Sequence, residues 1–442
     1  MSADGSTQDS GSHQTANVEV TLEALRDQRH IRPTDSHRHI AFVLRVTRST
    51  SGEDRKPLTL ALVVDRSGSM SGEPLATAKR TAITLADQLT EMDRIALVVF
   101  DDKIDVLQQL TSGTPETKAN IRAALRDLRA RGSTALHAGW LTGCDEIKVG
   151  REQGDIGGIA RCLLLTDGQA NVGEQDPEQI ATQAADIQER WGVGTSTFGF
   201  GAHYNEHLLG PMAVAGSGQF YHIDTPKDIT RAFSAEFTDM VMAAAIHTRL
   251  EFEVEPGMTV DVMSAYRQSD TSAQPSHYVI GIGELLAGEE RPVVVRFGFP
   301  HEDRAFAYTV RARVIWSDGQ QEWRSDWQEA RFTHDLGAES ASELYDPAAM
   351  HWIGLAYADR AVRIALEYYK HGEQALAVDF LAKTIEHLER YAGNDADLRA
   401  AIQEMIELKE HVGETSVSLM EAKQMYFRSQ TRSRGKSDYR RQ

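Results

Sequence analysis

The sequence predicts a doubly wound, Rossmann-like α/β domain, flanked by an antiparallel β-sandwich and followed by an α-helical region. Three observations carry this prediction. Between Leu58 and Ala244, short and nearly continuous apolar runs alternate with helical stretches, as expected for a mostly parallel sheet covered on both faces. From His247 the apolar residues recur with period two, as in half-buried antiparallel strands. Beyond about Ser340 the apolar spacing becomes i, i+3, i+4, the stripe of an amphipathic helix.

Taken in order, residues 1–16 are rich in Ser, Gly, Gln and Asp and read as a disordered leader. Residues 17–48 read as strands joining the sandwich, with Val18, Val20 and Leu22 alternating ahead of the apolar run 40–46. The α/β unit is assigned to 57–245. Its strands are expected at Leu58–Val64, Ile95–Phe100, Ile104–Leu110, Cys162–Thr166, Thr195–Phe200 and Gln219–Ile223. Helices are expected at 73–91, 116–130, 137–150, 177–191, 205–215 and 227–244. The Asp101-Asp102-Lys103 link is too short for a crossover, so the strand after it should run antiparallel on an edge. Residues 246–335 supply the rest of the sandwich, so the α/β unit reads as an insertion in, or a docked partner of, one sandwich built from both flanks, with a separate N-terminal extension as the plainer alternative. Residues 340–427 form the helical region, with breaks at Lys370-His371-Gly372 and Gly393-Asn394-Asp395. In 428–442, Arg428, Arg432, Arg434, Lys436, Arg440 and Arg441 face a single Asp438, which reads as a solvated, disordered basic tail.

The 442 residues fit two or three domains, and a formal charge of −18 argues against a general nucleic-acid or anionic-membrane surface. Two cysteines, Cys144 and Cys162, are too few for a disulfide scaffold and read as inert core thiols. The first 16 residues lack a basic n-region and an apolar h-region, and no run approaches the roughly 18 apolar residues of a membrane helix. The expectation is a soluble, cytoplasmic protein without membrane insertion.

Three stretches carry chemistry. Asp65, Ser67 and Ser69 sit at spacing i, i+2, i+4 where an apolar run ends. Thr134, in Gly132-Ser133-Thr134-Ala135-Leu136, adds a third hydroxyl, and Asp167 ends another apolar run. Hard oxygens in compact loops suit Mg²⁺, and doubly wound folds bind ligands beyond the carboxyl ends of their strands. The plainer alternative is that Asp65 and Ser67 cap the helix near Pro74 and Thr134 caps the next one.

These stretches resemble the metal-ion-dependent adhesion site of von Willebrand factor type A domains, and all the expected ligand positions are filled. The likeness covers roughly 58–244. Phe100-Asp101-Asp102, Leu165-Thr166-Asp167-Gly168 and the run from Gly199 to Leu209 look like bacterial proteins akin to the inter-alpha-trypsin-inhibitor heavy-chain group. The resemblance implies a metal held by Asp65, Ser67, Ser69, Thr134 and Asp167, the aspartates partly through water. Mg²⁺ is the expected ion, with Mn²⁺ and Ca²⁺ as alternatives, and a partner's Asp or Glu completes the shell. The expected function is a non-enzymatic, metal-dependent protein–protein interaction scaffold. The alternative is a co-factor of a MoxR-like or chelatase-type AAA+ ATPase. A metal-dependent hydrolase is the weakest reading, because the motifs hold no spare general base and no nucleophile–base pair. The chain contains no GxxxxGK[ST] loop, so it is not itself the motor.

Other candidates read more plainly. His203, Tyr204, Asn205 and Glu206 follow a strand on the same rim and are expected to start a helix, with Asn205 as its N-cap, rather than to border the partner site. Asp101 and Asp102 read as a tight turn. His30, His37 and His39 read as an exposed strand edge rather than a second metal site.

Overall fold

The computed structural model describes residues 18–32, 36–49, 55–152, 158–167, 170–201, 204–266, 268–270, 276–301, 306–319, 321–334, 343–413 and 418–436. The leader expected at 1–16 lies outside them, as do His203, Gly168 and the last six residues.

The chain opens with β1 (Val18–Arg26), β2 (His30–Ile31) and β3 (His37–Ser49), then enters the α/β unit. That unit holds β4 (Leu58–Asp65), α1 (Glu73–Gln88), β5 (Arg94–Phe100), β6 (Ile104–Ser112), α2 (Pro115–Asp127) and α3 (Leu136–Glu152). It continues with β7 (Ile159–Thr166), α4 (Pro177–Trp191), β8 (Val193–Phe200), α5 (Glu206–Ala215), β9 (Ser217–Ile223) and α6 (Pro226–Val241). The six strands lie in the order β6-β5-β4-β7-β8-β9, all parallel except the β5–β6 pair at one edge. Every residue of β4, β7 and β8 is buried, which is why these strands read as continuous apolar runs. Two glycines let α3 lie close on the sheet. A Cβ at Gly139 would come within 2.6 Å of the Phe100 ring, and one at Gly143 would strike Val63.

The chain then returns to β-structure: β10 (Ala243–Glu253), β11 (Thr259–Val262), β12 (Gln268–Asp270), β13 (His277–Leu286), β14 (Glu290–Gly298), β15 (Ala307–Ser317), β16 (Glu322–Arg324) and β17 (Gln328–His334). One sheet runs β1-β3-β14-β11. The other runs β12-β13-β10-β15-β17-β2, with β16 on β15. Strands from before and after the α/β unit therefore share one sheet. Between the sheets lies an apolar core in which Phe42 and Phe252 stack at 5.9 Å and Trp316 Nε1 donates to the Val18 carbonyl at 3.0 Å.

Four helices close the chain: α7 (Pro347–Lys370), α8 (Gln374–Ala392), α9 (Ala396–Gly413) and α10 (Leu419–Ser433). Ala349, Ile353 and Ala356 of α7 pack on Ala41 and Val294, the outer face of the β1-β3-β14-β11 sheet. Among the described residues no helix is long and apolar enough to cross a membrane.

Two expectations are corrected. Residues 428–436 are not a solvated tail. Ser418 and Glu421 form a capping box that starts α10, and the helix carries Arg428 and Arg432 into the fold. There Arg432 pairs with Asp359 and Glu404, Arg434 Nη1 donates to the Gly218 carbonyl at 2.6 Å, and Lys436 lies 3.4 Å from Asp239. Tyr426 and Phe427 meet Phe220 across the β9 edge at 6.4 and 6.1 Å. The second correction concerns His39, which is not on an exposed edge. Its ring is held by Asp27 at 2.8 Å and by the Tyr357 hydroxyl of α7 at 2.9 Å, because β3 lies inside its sheet and the helices cover that face.

Candidate metal centre

Asp65 is the last residue of β4, and Thr166 is the last residue of the neighbouring parallel strand β7. The winding reverses between these two strands: β5 and β6 lie on one side, β8 and β9 on the other. The chains leaving both strands therefore diverge and open a crevice at their carboxyl ends.

The Asp65 side chain is completely buried, and both its oxygens are used. Oδ1 accepts the Ser67 backbone N–H at 2.7 Å, and Oδ2 accepts the Thr166 hydroxyl at 2.6 Å. Ser67 Oγ lies 3.1 Å from Ser69 Oγ, which donates to Asp167 Oδ1 at 2.9 Å. Four of the five expected residues thus form one hydrogen-bonded cluster. Thr134 is brought beside it through backbone bonds. Gly68 N–H donates to the Gly132 carbonyl at 3.1 Å, and Arg131 N–H donates to the Arg66 carbonyl at 2.8 Å. Asn171 then holds Thr134 from the Asp167 side: its Oδ1 accepts the Thr134 N–H at 2.8 Å, and its N–H donates to the Thr134 carbonyl at 3.2 Å.

The capping alternative fails for Asp65 and Ser67. The N-cap of α1 is Gly72, without any side-chain bond, and Ser67 makes no capping bond to the single 3₁₀ turn at Gly68–Met70. Asn205, as expected, caps α5 by accepting the His207 N–H at 3.1 Å. Its neighbours Tyr204 and Glu206 are covered by α10, whose Lys423 donates to the Tyr204 carbonyl and pairs with Glu206.

Two buried aspartates at this rim differ in electrostatics. Burial pushes the Asp65 carboxyl up to about 6; hydrogen bonds from Thr166 and Ser67 oppose the shift, and the nearby Asp167 charge adds to it. No basic side chain pairs with Asp65 among the described residues. Asp101, equally buried, accepts from Arg131 Nε at 2.6 Å, Lys103 N–H at 2.7 Å and Arg66 Nε at 3.0 Å. Burial alone would raise its carboxyl, but these bonds hold it below the usual carboxylate range. Asp101 is therefore more than the turn residue the sequence suggested. It ties the loop carrying Ser67 to the loop carrying Thr134. Asp101, Arg66, Arg131, Thr166 and Asn171 were all missed as site residues, although Arg66 and Thr166 stand directly beside motif residues in the sequence.

The donor set consists of oxygens only, and it includes a buried carboxylate that lacks a cation. Such a set fits a hard divalent ion such as Mg²⁺ and offers nothing to a thiophilic one. The family model described as "von Willebrand factor type A domain" matches residues 59–235. The chain carries a type A domain. Domains of this family are in general metal-dependent protein-interaction modules and typically bind a divalent ion at this rim.

Uncharacterized protein sll0103 of Synechocystis is 29% identical over 266 residues, which cover 57% of this chain and 60% of that protein. Human inter-alpha-trypsin inhibitor heavy chain H3 is 29% identical over 169 residues, covering 37% of this chain and 18% of that one. The chain thus spans less than two thirds of these relatives. A solved structure described as von Willebrand factor type A from Catenulispora acidiphila superposes with a TM-score of 0.72 over 97% of this chain and 99% of that one. At 16% identity it shares the fold alone.

Proposed function

We propose that Asp65, Ser67, Ser69, Thr134 and Asp167 hold Mg²⁺, and that the ion captures an Asp or Glu side chain of a partner protein. The observation that carries this reading is the Asp65 carboxylate, wholly buried, hydrogen-bonded on both oxygens and without a cation of its own. A buried carboxylate is costly unless something positive faces it. A divalent ion at the Ser67–Ser69–Asp167 cluster supplies that charge. Two carboxylates neutralise the ion, while hydroxyls add only dipoles, so the ion remains electrophilic toward a further oxygen ligand. The reading assigns binding, not catalysis, to the site.

The test is partner capture by the full chain in Mg²⁺ and in EDTA, with Asp65→Ala and Thr134→Ala beside the wild type. The expected result is capture that requires Mg²⁺ and is lost in both variants while their far-UV circular dichroism is unchanged. Equal capture in EDTA refutes the metal link. If the partner recovered is an AAA+ ATPase, the module serves a motor protein.

A further inference from the structure

A cavity among the described residues lies at the opposite end of the α/β sheet from the candidate metal centre. It has a volume of about 590 Å³ and is shared between the α/β unit and the sandwich. One wall is built from the C-terminal ends of α3, α4 and α5 and the start of β9. The other wall is built from β10, β13 and the β15–β16 hairpin. Seams between domains at this size are where small molecules commonly bind.

Three independent features concentrate there. The first is backbone strain. Among the described residues only two non-glycine residues have positive φ, Ser217 at 53° and His247 at 51°, and both line this cavity. Each residue holds its backbone in a sparsely populated conformation, a cost of order 1 kcal/mol or more that the surrounding structure must sustain. The second is an uncompensated cation. The Nε and Nη2 atoms of Arg151 are buried and make no hydrogen bond. Burial lowers its pKa, and no carboxylate acts against that shift. An ordinary structural role exists, since a cation in the last turn of α3 faces that helix's carbonyl end. It leaves Nε and Nη2 without a partner, whereas the buried Arg161 is paired with Glu236 and Glu284. The third is convergence. A Cβ at Gly192 would come within 2.9 Å of both Arg151 Nη1 and His247 Cε1, so the guanidinium and the imidazole meet at a residue that has no side chain to part them. Burial keeps His247 toward its neutral form, and Arg151, Arg161 and Arg249 act in the same direction against Glu284.

The remaining lining says what else the ligand carries. Trp191, Val214, Ala215 and Val279 give the cavity an apolar side, with the half-buried indole of Trp191 next to Gly192; Glu152, Glu189 and Glu322 also line the seam, Glu322 being paired with Arg249 at 2.6 Å. A bare ion would leave that side empty. We infer that this seam binds a small organic oxyanion, a phosphate or carboxylate on an apolar or aromatic body, with Arg151 and His247 facing the anion and Trp191 facing the body. Arg151 supplies a guanidinium whose Nη1 lies beside Gly192 and His247. His247 supplies one N–H. The ligand touches both the α/β unit and the sandwich, so its binding stabilises their seam.

The test is calorimetric titration of the full chain in EDTA, which keeps anions from reaching a metal at the other rim. The probes are phenyl phosphate, benzoate, inorganic phosphate and the neutral control benzyl alcohol. The expected result is saturable binding of phenyl phosphate or benzoate, which also reports whether phosphate or carboxylate is preferred, and none of benzyl alcohol. Arg151→Gln is expected to weaken binding at least tenfold, while Arg390→Gln, an exposed arginine of α8 outside the cavity lining, leaves it unchanged. Where Arg151→Gln does not fold, Arg151→Lys keeps the charge without the planar guanidinium and is expected to weaken binding severalfold. Absence of saturable binding of both organic anions by the wild type overturns the inference. So does undiminished affinity in a folded Arg151 variant. Binding of inorganic phosphate alone overturns the organic body.

Discussion

Replacing Asp65 by Asn should stabilise the metal-free protein while abolishing its response to Mg²⁺. The buried carboxyl has a pKa of about 6 in the folded chain against 3.8 unperturbed. An acid whose folded pKa is raised binds its proton more tightly in the folded state, so its ionised form costs stability. That cost is absent well below pH 3.8, grows between pH 3.8 and about 6, and is complete above. Two pH units and a little more correspond to about 3 kcal/mol at pH 7.5 and about 1 kcal/mol at pH 4.5. Asn keeps an oxygen for the Ser67 N–H, and the Thr166 hydroxyl can turn to accept from the new amide, so little packing is lost. The assay is urea denaturation in EDTA at both pH values, followed by thermal melts with added Mg²⁺. Wild type should melt higher with Mg²⁺, by mass action on the folded state, and Asp65→Asn should not. A variant less stable than wild type at pH 7.5, a gain of the same size at pH 4.5, or a retained Mg²⁺ shift would each refute the reasoning.

Asp101→Asn weakens the bridge from Arg66 to Arg131 and should lower Mg²⁺ affinity by about tenfold with a modest loss of stability, because it orients two ligand-bearing loops without touching the ion; unchanged affinity by calorimetry counts against it. Lys423→Met leaves Glu206 mostly buried without its cation and should cost about 3 kcal/mol in urea denaturation, with α10 becoming a site of early proteolysis. An unchanged midpoint would show that the Lys423–Glu206 pair does not hold α10, which is then kept in place by its aromatic contacts and by the pairs of Arg432, Arg434 and Lys436. A fragment of residues 246–335 should not melt cooperatively, because β14 loses its partner β3 and the core loses Phe42; a cooperative melt by circular dichroism refutes the shared sandwich.

What the sequence revealed depends on how local the physics was. The strands β4, β7 and β8 are buried on both faces, so their apolar runs were unmistakable. The oxygens at Asp65, Ser67 and Ser69 were legible because the turn that ends β4 sets them two residues apart. Residues 428–436 were misread because their charges looked solvated. The partner of Arg432 is Asp359, 73 residues earlier, and that of Arg434 is the Gly218 carbonyl, 216 residues earlier. The same holds for His39, whose Tyr357 partner is 318 residues away. Asp101 looked like a turn because one of its three donors, the Lys103 N–H, is indeed a turn bond; the two arginines that give it a second role come from other loops. Spacing shows which residues begin a loop, but the tertiary fold decides which loops meet.

The arrangement of the units leaves the rim with the oxygen cluster clear of the sandwich. The α/β unit is entered and left at one place: Lys56, just before β4, donates through Nζ to the carbonyls of Ala243 and Ala244, where β10 begins. Burial lowers the Lys56 ammonium to a pKa of about 8, against the opposing charges of Asp318 and Glu284. From Leu58 beside that junction to Asp65 is one eight-residue strand, about 23 Å at the rise of a parallel strand. The sandwich is thus fixed at the amino ends of the strands, where Glu284 of β13 reaches Arg161 of β7 and, held by that cation against the cost of burial, has a carboxyl of about 2. Helices cover both faces of the sheet, and α10 closes its β9 edge. Of the two ends of the sheet, one meets the sandwich and the other carries the oxygen cluster. A partner can therefore reach the Ser67–Ser69–Asp167 cluster without displacing the sandwich. A ligand in the seam works from the opposite end, where it acts on the joint between the units rather than on the surface a partner meets.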